Sequence, residues 1–555
     1  MSVPRRTVLV VWLLLVVRLS TASATRPQVQ PGGLEPIQYT FRVIDAAQHL
    51  AGVEARVPTG GRPVIELRMP VWTPGYYVVE DYAGRVRDLR VEAPDGTVLV
   101  VPKPQNNRWS VETKGAPYVS LSYTLVAQGR SVTSNWVDVE LGVINGGAAF
   151  ITLAEPVRRP HDVRLEMPPT WKQSASGLDP APGGEPNHYR APDFDTLADS
   201  PIVAGTLVVR EFVVGGATHV VADAGQHAQW NSDRSAEQIE KMVKEVWHFW
   251  GALPFERYVF LNVFRQGGGG LEHANSTLLT SSPKATEPTN RWLSFVAHEY
   301  FHAFNVKRLR PVELGPFDYE NPPRTTSLWF SEGGTTYYGN LMLARAGVLT
   351  PEDFLASMSS AIDSLQQAPG RLLQSLEQSS AGVWTNSNSG VGADATTVSY
   401  YVKGHVVSFL LDAHIRRITN GRRSMDDVMR LAMARYGGER GFTAAELRAT
   451  VEQVAGRSMK AWFKNAIETP GELDYSEMLG WYGLRFAAAD GATWKLEARP
   501  RATRAQQNRL RALLTSSGPV DRPRSEAMAE GFDDTTAPHR AHRFAWYGVP
   551  LHATD

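Results

Sequence analysis

The order of apolar and polar positions divides the chain into stretches of different period. From about residue 36 to 205 short runs alternate, as in Tyr39-Thr40-Phe41-Arg42-Val43 and Tyr118-Val119-Ser120-Leu121-Ser122-Tyr123, with turns containing Gly and Pro between them. A period of two broken by frequent turns predicts half-buried strands stacked as an all-β sandwich. Within this stretch Met69-Pro70-Val71-Trp72-Thr73-Pro74-Gly75-Tyr76-Tyr77 is a dense aromatic and proline loop, whose composition reads as a packed corner rather than a binding site. Near residue 235 the period changes. Ser235 and Gln238 form a capping-box pattern, and Ile239, Met242, Val243, Val246, Trp247 and Trp250 recur at helical spacing, predicting an amphipathic helix with a broad buried face. Tyr258 to Phe264 reads as a strand running into Gly267-Gly268-Gly269-Gly270-Leu271-Glu272-His273, and a further helix is expected over roughly 290–304. From about 350 to 470 the pattern is helical. Thr350 is an N-cap with Pro351 at the first helical position, and Ser424 with Asp427 and Thr443 with Glu446 repeat the capping logic. Ser380 to Thr397 is a Ser-, Asn- and Gly-rich loop, and about 516–541 is polar, rich in Pro and Arg, and mobile by composition.

A chain of 555 residues is too long for one simple core and implies several domain-sized units. Lys plus Arg number 57 and Asp plus Glu number 57, so no net field draws the chain to nucleic acid or anionic lipid. The absence of cysteine excludes disulfides, thiolate nucleophiles and thiolate metal sites, so any metal must sit on His and carboxylate. At the N-terminus Arg5 and Arg6 precede an apolar run from Val8 to Val17, and Ala22-Ser23-Ala24 offers a cleavage pattern, so residues 1–24 read as an export signal. That run is about half of the roughly 20 residues that span a bilayer. The mature protein is expected to be soluble and exported, most simply to a bacterial periplasm, by the general or the twin-arginine route.

The sharpest chemical signal is His298-Glu299-Tyr300-Phe301-His302. Residues four apart share a helix face, so both imidazoles can reach one metal ion while Glu299 points at its open side. Trp292, Phe295 and Val296 mark the segment as a buried helix, where two histidines need partners. Catalytic zinc takes three protein ligands plus water, so a third is required. The best candidate is Glu332 in Leu328-Trp329-Phe330-Ser331-Glu332-Gly333-Gly334-Thr335-Thr336-Tyr337-Tyr338, expected on a second apolar helix. A carboxylate among Trp, Phe and Tyr needs a buried positive partner. Glu272 follows four glycines, among them Gly269 and Gly270, that let the backbone approach a ligand closely. Beside a metal cleft it can bind a substrate's terminal ammonium, while alone the segment also reads as a surface hairpin with an incidental acid. Thr397 to His405 opens a helix to Ile415. A hydroxyl of Tyr400 or Tyr401 near the metal would donate to an oxyanion, though the stretch alone also reads as two core tyrosines. The basic run Lys307, Arg308, Arg310 reads either as contacts to substrate carboxylates or as a solvated or paired face.

In this order the motifs resemble the glycyl aminopeptidases, zinc metallopeptidases related to the larger thermolysin-like aminopeptidases. The resemblance rests on Val71-Trp72-Thr73-Pro74-Gly75, on Leu271-Glu272-His273, on the histidine motif continuing through Asn305 to Pro311, and on the Leu328–Tyr338 and Tyr400–Gly404 segments. It implies a multi-domain α+β fold. A signal peptide over 1–24 would precede an N-terminal β-sandwich-like domain over 25–205 and a thermolysin-like catalytic domain over 206–348. A C-terminal α-helical domain over 349–475 and a short tail over 476–555 would follow. It implies one zinc ion per chain on His298, His302 and Glu332, Glu299 as general base, the Gly269–Gly270 segment with Glu272 as amine anchor, and Tyr401 as transition-state donor. The implied activity is removal of N-terminal residues, Gly or Ala, from peptides, with no nucleic-acid partner and no stable membrane insertion. A zinc endopeptidase on the same site and a non-catalytic peptide-binding homologue are the alternatives. Two departures stand out. Phe304 occupies a position where the family commonly has Trp, which is expected to alter packing rather than chemistry. Family members usually carry a PDZ domain after the helical domain, whereas 71 residues follow Leu484 here and Trp494 to Leu514 resembles the stretch normally found beyond it, so the module is expected to be missing.

Overall fold

The computed structural model describes residues 34–155, 157–385, 395–487 and 494–516. The expected export signal, most of the polar stretch beyond 516 and part of the Ser/Asn/Gly-rich loop lie outside the described residues.

The alternating N-terminal runs form strands. Ile37–Asp45 pairs antiparallel with Leu50–Pro58 on one side and parallel with His161–Glu166 on the other, at the centre of a seven-stranded sheet. Tyr118–Val126 extends this sheet and buries every second residue, Val119, Leu121, Tyr123 and Leu125, as its period dictates. A three-stranded sheet (Val64–Arg68, Arg108–Glu112, Thr152–Leu153) and a four-stranded one with Ile202–Gly205 as an inner strand complete the β-rich domain.

A five-stranded sheet follows. Ala217–Gly225, Arg257–Phe264 and Ser276–Ser281 are parallel, and Gly270–Glu272 joins antiparallel as an edge strand with Glu272 opposite Thr277. Arg257–Phe264 is buried along nearly its whole length, as a central parallel strand covered on both faces must be. The amphipathic helix runs Ser232–Trp250 and is capped by Asn231, whose side chain accepts the Arg234 N–H, not by Ser235. The helix starts earlier because Ser232 Oγ donates to buried Asp223 at 2.6 Å, tying the first turn to the sheet. The N-cap expected at Thr350, with Pro351 in the first turn, and the capping pairs expected at Ser424 and Thr443 are all present, and Thr350 also forms a capping box with Asp353.

One large core unites this region with the helices beyond it. It extends to the hairpin Leu484–Phe486 and Leu496–Ala498 and to the helix Arg504–Leu514, whose Leu513 is fully buried. Arg345 Nε donates to the Leu513 carbonyl at 3.1 Å. Among the described residues no helix is long and apolar enough to cross a membrane.

The segment between the histidine motif and Glu332 is strapped to the β-rich domain. Trp72 Nε1 donates to the Asp318 carbonyl at 2.7 Å, the Val71 N–H to the Tyr319 carbonyl at 2.9 Å, and the Tyr319 hydroxyl to Asp195 at 2.8 Å. Arg108 and Asn107 clasp the Glu320 carboxylate. Trp72 is 1% exposed and packs on Phe317, Tyr319 and Trp384, so this part of the aromatic loop is a packed corner.

Phe304 lies flat on Trp250 with ring centroids 5.0 Å apart and no exposure. Phe304→Trp should overfill this space and cost about 1–3 kcal/mol, read as a lower thermal unfolding midpoint with metal binding retained.

Candidate metal centre and its cleft

The motif helix, Asn290–Phe301, is capped by Thr289 and presses Leu293, Val296, Ala297, Tyr300 and Phe301 into the core. Tyr300 is fixed by a 3.0 Å contact between its hydroxyl and His219 Nε2. Helical spacing then brings His298 and His302 together on the opposite side, ring centroids 4.4 Å apart and Nε2 to Nε2 at 2.9 Å. Glu332 arrives not on a regular helix but on a wide π turn, Trp329–Gly333, that feeds the helix Gly334–Arg345. Such turns carry one extra residue and recur at functional sites. Its Oε2 lies 3.1 Å from His302 Nε2 and 3.5 Å from His298 Nε2.

The partners on the far side of each ring settle where the protons are. His302 Nδ1 is 2.8 Å from the Asn305 carbonyl, which can only accept, so Nδ1 carries the hydrogen. His298 Nδ1 is 3.1 Å from Thr336 Oγ1, and that hydroxyl donates to the Glu332 carbonyl at 3.0 Å, so its oxygen accepts from Nδ1–H. Each ring thus turns its Nε2 toward the other and toward a carboxylate oxygen. Ligands bound about 2.0–2.1 Å from a tetrahedral ion lie about 3.3 Å apart, which matches this triangle. Two imidazole lone pairs and a carboxylate are the donor set of a divalent transition-metal ion, and His298, His302 and Glu332 fit one. Burial pushes the Glu332 carboxyl up, but the histidines beside it outweigh this and hold it at about 2. Burial lowers His302, yet the carboxylates around it, Glu332 foremost, lift it to about 9.

The centre opens into a cleft shared with Glu299, Gly270, Glu272 and Tyr401. Glu299 is buried, and burial drives its carboxyl well above the usual range. The edge strand passes directly over it: a Cβ on Gly270 would lie 2.5 Å from Glu299 Oε1 and from the Phe295 ring. Glu272 is 4% exposed, and its Oε1 has no hydrogen-bond partner. Burial raises its carboxyl, opposed by Lys307, whose Nζ lies 4.0 Å away. Tyr401 lines the cleft with its ring 6.1 Å from that of His298, while Tyr400 is fully buried and stacks behind it at 4.8 Å. Gly269 lies outside the lining, at φ +104° against Val132 of the β-rich domain.

The aromatic loop was expected to be a packed corner only. Its second half instead reaches the cleft, where Gly75, Tyr76 and Tyr77 form the wall above Glu272. Gly75 sits at φ +92°, and a Cβ there would fall 2.3 Å from Glu272 Oε1. The basic run is half-buried and paired: Lys307 with Asp199, Arg308 with the carbonyls of Ala274, Ala303 and Pro254, and Arg310, at the surface, with the Glu439 carbonyl. Sequence reasoning missed Asn305 and Thr336, although Thr336 stands four residues after Glu332 and so on the same helix face. Thr336→Val should weaken metal affinity about 10–100-fold, measured by competition with a chromogenic chelator.

The chain matches the profile of the M61 glycyl aminopeptidase family over residues 291–407 and that of the Peptidase M61 N-terminal domain over residues 38–206, together just over half its length. No curated protein matches it. A crystal structure of an aminopeptidase N family protein from Idiomarina loihiensis is 27% identical with a TM-score of 0.75, covering 81% of this chain and 78% of that one. A mutant of the M1 zinc metallopeptidase from Deinococcus radiodurans is 14% identical with a TM-score of 0.50, covering 80% of this chain and 95% of its own. The same mutant bound to a Tyr-Ser-Ala substrate is 16% identical over the same shares, with a TM-score of 0.50. The M1 structures share the fold; the profile matches take in all three metal-facing residues and most of the β-rich domain. The chain thus belongs to the M61 glycyl aminopeptidase family and is a peptide hydrolase, an aminopeptidase-like metallopeptidase.

Proposed function

We propose that the protein is an exported zinc aminopeptidase that removes N-terminal residues, Gly or Ala, from peptides, with one zinc ion held by His298, His302 and Glu332. The observation that carries this reading is the buried, unpartnered carboxylate oxygen of Glu272 in the same cleft as the three metal-facing atoms and Glu299. A lone anionic acceptor there suits a free terminal ammonium and fixes which peptide bond is presented. The wall of Gly75, Tyr76 and Tyr77 crowds that end of the cleft, in keeping with a small first residue. Export is supported by the basic, apolar and small-residue pattern of residues 1–24.

The bound metal ion would supply Lewis acidity and lower the pKa of a coordinated water to about 7. Glu299 takes the proton from the attacking water and returns it to the leaving amine. The Tyr401 hydroxyl stays protonated, since burial pushes its pKa well up, and it donates to the oxyanion. Gly270 offers edge-strand backbone to the peptide, and Glu272 holds its ammonium.

Glu299→Gln should retain metal and lose turnover, and His298→Ala or Glu332→Ala should lose metal by elemental analysis. Tyr401→Phe should lower kcat about 10²–10³-fold with little change in KM. Wild-type turnover in Glu299→Gln would sink the mechanism. The function itself is tested with a panel of aminoacyl chromogenic amides and their N-acetylated forms, with chelator and with zinc restored. Chelator-sensitive cleavage of free-amine Gly and Ala amides is expected. Equal cleavage of the acetylated forms would mark an endopeptidase, and purified protein with neither metal nor chelator-sensitive hydrolysis would mark a peptide-binding homologue.

A further inference from the structure

Glu272 is flanked by a buried charge network that spans two domains. Asp199 follows the short helix Phe194–Ala198 of the β-rich domain. Its Oδ1 accepts from Lys307 Nζ at 2.8 Å and lies 3.2 Å from His273 Nδ1, and its Oδ2 accepts the Ala274 N–H at 2.8 Å. One carboxylate thus grips the two residues that follow Glu272 and the lysine that faces it. The side chains of Glu272, His273 and Lys307 are all less than 10% exposed.

A buried ammonium beside a buried carboxylate ordinarily closes to about 2.7–2.9 Å. Here Lys307 stands 4.0 Å from Glu272 Oε1 and 2.8 Å from Asp199, and Glu272 Oε1 is left without a partner. The lysine is near enough to favour the ionised form of Glu272 and too far to satisfy it. The backbone is strained to hold this arrangement: Val306, between Asn305 and Lys307, has φ +148°, an outlier for a β-branched residue. We propose that Asp199 is a positioning residue for the reaction: by engaging Lys307 it keeps the Glu272 carboxylate open to the ammonium group of the substrate. The proposal rests on Glu272 as the amine anchor. In agreement, although burial raises its carboxyl, Lys307 and His273 hold Asp199 ionised, at about 2.

Without charge at Asp199, Lys307 turns to Glu272 and an internal ion pair fills the place of the substrate ammonium. The test measures steady-state kinetics of the zinc-loaded full chain on an alanyl chromogenic amide for Asp199→Asn, Lys307→Met, the double variant and Glu272→Gln. Metal content and thermal midpoint establish that each is folded. Asp199→Asn should raise KM at least about tenfold, the scale of one charge-assisted contact, with kcat nearly unchanged. The double variant should return KM to that of Lys307→Met, because Asp199 acts through the lysine. A double variant whose KM stays as high as that of Asp199→Asn overturns the proposal, as does an Asp199→Asn protein with wild-type KM. If the uncompensated lysine prevents Asp199→Asn from folding, the double variant and Lys307→Met decide. Equal KM values support the proposal, and a tenfold higher value in the double variant overturns it. Glu272→Gln separates the two layers. An unchanged KM there removes the anchor itself, whereas a raised KM beside a silent Asp199→Asn removes only the role of Asp199.

Discussion

Two imidazole nitrogens and a carboxylate oxygen, held 2.9–3.5 Å apart with both Nδ1 protons directed elsewhere, repel one another unless a proton or a metal ion lies between them. Everything around them works against that repulsion. Thr336 closes a loop of contacts, accepting from His298 and donating to the Glu332 backbone, so two of the three metal-facing side chains are set by one hydroxyl. The third is set by the Asn305 carbonyl, three residues along the chain from His302. Behind the helix that carries Thr336, Tyr337 and Tyr338 donate to Asp412 and Asp426, which are matched by Arg416 and Arg345. These buried charges add little net stability as pairs, but each is costly to leave without its partner. They fix the helix in one position.

The cleft in front of the centre is built by close approach. The edge strand runs over Glu299 with no room for a side chain at Gly270, and the β-rich domain lays Gly75 against Glu272. Water is thereby thinned around two carboxylates whose burial already disfavours their charged forms. Against that burial Lys307 is the strongest influence favouring charge on Glu272, and a metal ion would act in the same sense on Glu299.

What the sequence revealed about this site followed from locality. The histidine pair is a helix period, and the capping boxes at Thr350, Ser424 and Thr443 are contacts between residues three apart, so both could be read without the fold. Glu332 was legible by its odd company of aromatics, yet the π turn that aims it depends on how two helices pack. Asn231 displaced Ser235 as a cap because Ser232 meets Asp223 on the neighbouring strand, a tertiary contact that overrides two similar local signals. Gly75 with Glu272, and Asp199 with Lys307, lie more than a hundred residues apart in the chain. Period and composition carry no trace of such pairs. The basic run showed its charge but not its partners, which come from other segments.

Glu332 stands thirty positions after His302, and closing a free loop of that length costs about 3 kcal/mol of chain entropy. In this fold the closure is accomplished beforehand, by the bonds that Trp72, Val71, Asn107 and Arg108 make to Asp318, Tyr319 and Glu320. The β-rich domain therefore behaves as part of the chelator. The affinity of the chain for a metal ion at this site would thus be a gauge of whether the two domains are docked.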